Sequence, residues 1–154
     1  MANYAADSYG KVSYNGEYGN VSVAHAHFDN IGAINGSAGF ANGDTADLFQ
    51  LPAGAKVLEG FIYVGSNALE TATVRVGVKY ADGTSTGGST SSGQLVAGTA
   101  SAITAAHTRY QFRFTPFTND ADTIVYLSWV SPGAPTDAGN PVDVVLKYVA
   151  TGTE

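Results

Sequence analysis

The residues of this chain best placed to do chemistry are two histidines one position apart, His25 and His27, followed by Asp29. On an extended strand, alternate side chains share a face, so these three would project together, close enough to hold one metal ion. The third histidine, His107, lies in Thr104-Ala-Ala-His-Thr-Arg109. It could act as base for a Ser or Thr nucleophile. However, no Gly-x-Ser-x-Gly elbow occurs, Ser37 in Gly36-Ser37-Ala38-Gly39 lacks that spacing, and there is no cysteine. Asp44 with Asp47, and Asp120 with Asp122, offer the oxygens that Ca²⁺ takes from loops, but no EF-hand spacing or Asp-rich repeat accompanies them. Asp and Asn beside Gly are ordinary turn formers, because their side chains bond the local backbone. The glycine-rich stretches match neither phosphate-binding pattern. Turns account for them.

The elements that would position these residues are strands. Side chains alternate through Thr71–Tyr80, where Val74, Val76, Val78 and Tyr80 oppose Thr73, Arg75, Gly77 and Lys79. The run ends at an Asp82-Gly83 turn signal. Tyr110, Phe112 and Phe114 alternate with Arg109, Gln111 and Arg113, and Val142, Val144, Leu146 and Tyr148 oppose Asp143 and Lys147. Lys56–Val64 and Thr123–Val130 are apolar on both faces, which suits central strands or strands whose outer face meets a neighbouring subunit. Asn20–Phe28, Asp44–Leu51 and Lys11–Tyr14 add further strand candidates. Asp29–Asn42, Thr84–Gly93 and Ser131–Pro141 read as loops, and Gly98–His107 is ambiguous. The pattern predicts an all-β fold. The expected architecture is a single two-sheet β-sandwich, jelly-roll-like or Ig-like, of about seven to eight short antiparallel strands, with an edge-closed barrel as the alternative. Residues 1–18 form an N-terminal arm or edge segment and 19–154 the sandwich domain.

Composition agrees and narrows the function. Only 13% of residues are charged, where a quarter is usual, so the long surface helices that carry Glu, Lys and Arg are not expected. The formal charge of −6 and the dispersed Lys and Arg disfavour nucleic acid as a partner. No apolar run approaches the length of a membrane span, and the opening Met1-Ala-Asn-Tyr lacks the basic and apolar regions of a secretory signal. A chain of 154 residues without cysteine can build a core without disulfides. Tyr4, Tyr9, Tyr14 and Tyr18 fall in the polar first twenty residues. Tyrosine gives large contact area plus a hydroxyl for a wet rim, so these four are interface candidates, packing the arm on its own domain or on a partner. Trp129 has apolar neighbours and reads as core rather than as a sugar-stacking platform.

Two resemblances follow from these residues. Gly19, five residues, then His25-Ala26-His27 is similar to the opening of the cupin metal motif. The glutamate that should follow is replaced by Ile31 or Gly32, and no second-motif histidine follows Leu51-Pro52-Ala53-Gly54 at the expected distance. With two of four ligands missing, no metal, cofactor or catalytic role is assigned. His25, His27 and Asp29 remain the residues that would form a metal site.

The second covers residues 44–150. Ala46-Asp-Leu-Phe-Gln-Leu-Pro-Ala-Gly-Ala-Lys-Val-Leu58, then Thr73-Val-Arg-Val-Gly77, Asp82-Gly83 and Thr123-Ile-Val-Tyr126 resemble tailed-bacteriophage head decoration, or cement, proteins of β-sandwich type. The resemblance implies a non-enzymatic virion protein, made in the host cytoplasm, that binds the outside of an assembled capsid. Its implied partners are the major capsid protein and further copies of itself, as trimers in the first instance or as dimers. The alternative is another virion binding part: a head fibre base, a tail component or a carbohydrate-binding receptor module. A cupin-like metal-binding protein is the remote alternative.

Overall fold

Alternating Val, Thr and aromatic residues fit a pleated surface that is buried on one side, and the chain folds accordingly. The computed structural model describes residues 3–6, 20–29, 43–65, 74–82, 108–112, 115–129 and 141–150. These hold nine strands and no helix: β1 Asn3–Ala5, β2 Val21–Phe28, β3 Thr45–Leu51, β4 Ala55–Val64, β5 Val74–Tyr80, β6 Thr108–Gln111, β7 Phe117–Thr118, β8 Thr123–Trp129 and β9 Val142–Ala150. One sheet has the order β1-β3-β8-β5; the other runs β2-β9-β4-β6, with β7 also pairing β4. The two sheets pack into an all-β sandwich.

The two segments that are apolar on both faces became central strands. β8 lies between β3 and β5, and β4 lies between β9 on one side and β6 and β7 on the other. Phe28, Ile62, Leu146 and Tyr148 from the second sheet and Leu48, Leu51 and Leu127 from the first are the largest fully buried side chains. They form one core in which the inner faces of both sheets meet. β9 follows its sequence pattern, with Val142, Val144, Leu146 and Tyr148 buried and the intervening residues partly exposed. In β3 a register shift between Asp47 and Phe49 breaks the alternation, so Ala46 through Phe49 are all buried.

The corner between the sheets is local chemistry. After β3 the chain turns at Pro52-Ala53-Gly54-Ala55, closed by the Ala55 amide donating to the Pro52 carbonyl at 3.2 Å. Gly54 has φ 74°, the left-handed value that the third position of a type II turn requires. The Ala53 amide donates to Asp122 Oδ1 at 2.9 Å, and the Gly54 amide to the Asn119 carbonyl at 2.8 Å. The Leu-Pro-Ala-Gly-Ala motif is thus the hinge by which the chain leaves one sheet and enters the other.

One pairing departs from expectation. β1 joins β3 in parallel, whereas the other ladders among the described residues are antiparallel. A long connection between Ala5 and the next strands lets the N-terminal residues return to the sheet edge in either direction, and strand alternation carries no information on which. Tyr4, an interface candidate, is partly buried against the core of its own chain. Tyr9, Tyr14 and Tyr18 lie outside the described residues, as do the Lys11–Tyr14 strand candidate and His107. Among the described residues no helix is long and apolar enough to cross a membrane.

Candidate functional site

β2 alternates strictly. Ser22, Ala24, Ala26 and Phe28 point into the sandwich, which turns Val21, Val23, His25 and His27 outward. β2 is an edge strand of its sheet. Val21 and Val23 are 59% and 49% exposed, the large hydrophobic side chains left most open to solvent among the described residues. β9 beside it turns Asp143, Val145, Lys147 and Val149 the same way. The register sets Val21 against Val149, Val23 against Lys147, His25 against Val145 and His27 against Asp143. β4 continues this face. Lys147 Nζ donates to Glu59 Oε1 at 2.6 Å, and the Arg109 guanidinium of β6 stacks 3.8 Å from the Phe61 ring centroid. The outer face is therefore a valine-lined edge bordered by a small polar cluster.

That cluster is His25, His27 and Asp143. Asp143 Oδ1 lies 2.6 Å from His25 Nε2 and 2.8 Å from His27 Nδ1. The other His27 nitrogen, Nε2, lies 2.9 Å from Asp29 Oδ1. The hydrogen bond to Asp143 raises the His27 pKa above its ordinary 6.5 against a smaller opposing effect of burial, with Asp29 adding to the rise. Burial works to raise the pKa of Asp143, but hydrogen bonds from His27 and His25 outweigh it and the net shift is downward. A carboxylate oxygen beside each ring nitrogen favours the protonated form of His27, in the direction of its raised pKa.

The sequence placed His25, His27 and Asp29 on one face. The structure keeps the two histidines together and supplies Asp143 as the carboxylate they share, while Asp29 reaches only the far nitrogen of His27. Asp143 was legible as an outward residue of its strand, but nothing local to it pointed toward His27. The His25 side chain is 52% exposed, so the cluster stands on the open sheet face rather than in an enclosed cavity between the sheets.

The other carboxylates considered as Ca²⁺ ligands have structural partners. Asp122 caps the sheet-to-sheet corner, and Asp120 accepts from the Tyr80 hydroxyl at 3.1 Å, an interaction that raises the Tyr80 pKa. Asp47 is buried, ion-paired with Lys79 Nζ at 2.7 Å and bonded to Asn3 Nδ2 at 3.1 Å, which ties β1 to its sheet.

No family model and no curated protein sequence matches the chain. Among solved structures it is similar to a chain in the capsid of Ralstonia phage GP4, with a TM-score of 0.66 and 20% identity over 99% of each chain. It is also similar to a chain of the acidic stable capsid structure of Helicobacter pylori bacteriophage KHP30. That match has a TM-score of 0.55 and 17% identity, over 88% of this chain and 91% of the other. A third likeness is to the Cyanophage Pam1 capsid asymmetric unit, with a TM-score of 0.55 and 20% identity over 90% of each chain. At such identities what is shared is the fold. The chain has a β-sandwich fold also found in chains of phage capsid structures.

Proposed function

We propose that this protein is a non-enzymatic virion component that binds the outer surface of a bacteriophage capsid and stabilises it, as head decoration or cement proteins do. One observation carries the reading: the likeness to a chain in the capsid of Ralstonia phage GP4 runs end to end, over 99% of both chains. The partners are the major capsid protein and further copies of this chain, with a homotrimer as the working assembly.

The outer face supports this reading. Val21 and Val23 present apolar surface on an edge strand, and an exposed edge is a template for contact with another chain. A protein that binds only the assembled, expanded shell stabilises it by mass action, by RT ln(1 + [L]/Kd) at each site, and bridging several capsid subunits multiplies the gain. Co-sedimentation with purified capsids, before and after expansion, tests the proposal. Saturable binding to the expanded shell and a raised disruption temperature of that shell are expected. Absence of saturable binding to either form defeats it, and binding to glycans or tails instead would assign the chain to another virion part. Light scattering on the purified protein tests the trimer, which fails if only monomer is present at high concentration and on the shell.

A further inference from the structure

We infer that His25, His27 and Asp143 form an open, three-ligand site for a borderline divalent transition metal, with Zn²⁺ the ion the donor set fits best. The inference is independent of the capsid reading and rests on the placement of four side chains.

A His₂-carboxylate set of neutral imidazoles and one carboxylate oxygen suits Zn²⁺, and three protein ligands leave one of its four positions for water or an incoming group. One ligand atom from each of His25, His27 and Asp143 lies within 4.8 Å of the other two, and His25 Nε2 and His27 Nδ1 are the nitrogens that meet Asp143 Oδ1. A tetrahedral Zn²⁺ with bonds of about 2.0–2.1 Å separates its ligand atoms by about 3.3 Å. The 2.6 and 2.8 Å contacts to Asp143 Oδ1 are hydrogen-bond distances, so an ion that replaces those protons needs openings of about 0.7 and 0.5 Å. The His25 and His27 rings lie with centroids 6.2 Å apart and planes inclined by 45°, separate rather than stacked. The backbone holds the set: His25 and His27 are alternate residues of β2, and Asp143 is the register partner of His27 on β9.

The fourth side chain makes this more than a cluster. When His27 binds through Nδ1, its Nε2–H still donates to Asp29 Oδ1, 2.9 Å away. A carboxylate on the far nitrogen of a ligating imidazole fixes its tautomer and ring orientation and raises its basicity. His25 and Asp143 side chains are 52% and 28% exposed, so an ion has direct access from solvent.

Zinc titrated calorimetrically into the chelator-stripped full chain should bind at one ion per chain. His25→Ala, His27→Ala and Asp143→Asn should each abolish saturable binding, and Asp29→Asn should weaken it by about 10–100-fold. His107→Ala should leave it unchanged. The positions face solvent, and melting curves of the metal-free variants verify that they fold. Co²⁺ bound to the unaltered chain gives a second readout. Its visible ligand-field bands should have the intensity of a low-coordinate site and be displaced by one equivalent of Zn²⁺. The inference is overturned if the unaltered chain takes up no stoichiometric Zn²⁺, if the His25 and His27 variants bind as well as the parent, or if His107→Ala removes the binding.

Discussion

Gly60→Ala is the most direct probe of how tightly the second sheet is packed. Gly60 lies in β4 opposite Leu146 of β9, and its carbonyl accepts from the Phe112 amide at 2.8 Å. A methyl group at residue 60 would lie 2.6 Å from Phe112 Cδ2, 2.8 Å from Leu146 Cδ1 and 2.8 Å from the Val145 carbonyl oxygen. Carbon atoms are at ease at about 3.5–4.0 Å, so each of the two side chains must yield by about 1 Å. Phe112 and Leu146 can turn, but the Val145 oxygen is backbone of a central strand. Overpacking costs about 1–3 kcal/mol, and the fixed backbone contact places this site in the upper half of that range. Alanine also restricts the unfolded chain, which offsets about 0.4–1 kcal/mol. The net loss is about 1–2.6 kcal/mol, or roughly 2–10 °C in melting temperature for a chain of this size. Thermal and urea unfolding followed by circular dichroism measure it, and Gly60→Ala with Phe112→Leu should recover part of the loss by removing the shortest contact. A Gly60→Ala protein that melts with the parent would refute the close-approach reasoning.

Three further outcomes are expected. Gly54→Ala forces a side chain into a left-handed conformation and should lower stability by about 1–2 kcal/mol in urea unfolding, without changing the dependence on denaturant concentration. Lys79→Ala strands the buried Asp47 carboxylate. Because the pair keeps some solvent contact, the loss should be about 1–3 kcal/mol, and Asp47→Asn in the same background should restore part of it. Burial raises the pKa of the Tyr148 hydroxyl above 10, against a smaller downward effect of its hydrogen bond with Ser22. The folded state therefore resists ionisation that the unfolded chain accepts. This contribution is complete below pH 10 and is lost as pH rises from there through the folded value, so unfolding midpoints should fall in that window and Tyr148→Phe should flatten the fall.

Which segments become strands, and which of them are central, can be read along the chain. Side-chain alternation in Val142–Ala150 and the two-faced apolar runs in β4 and β8 reflect burial, and burial acts on each residue through its own side chain. The corner at Pro52-Ala53-Gly54 is legible for the same reason, since a left-handed turn position selects glycine locally. The functional surface was only half legible. Alternation put His25 and His27 on one face, but Asp29, their neighbour in sequence, reaches only the far nitrogen of His27. Their shared carboxylate comes from Asp143, 118 and 116 residues away. Backbone hydrogen bonds are alike for every residue, so a strand does not announce its neighbour. The pairing of β2 with β9, its register and the parallel return of β1 arise only when the two sheets close over a common core. The sequence by itself determined a two-layer β scaffold with histidines on one strand face; the tertiary structure decided which carboxylate they meet.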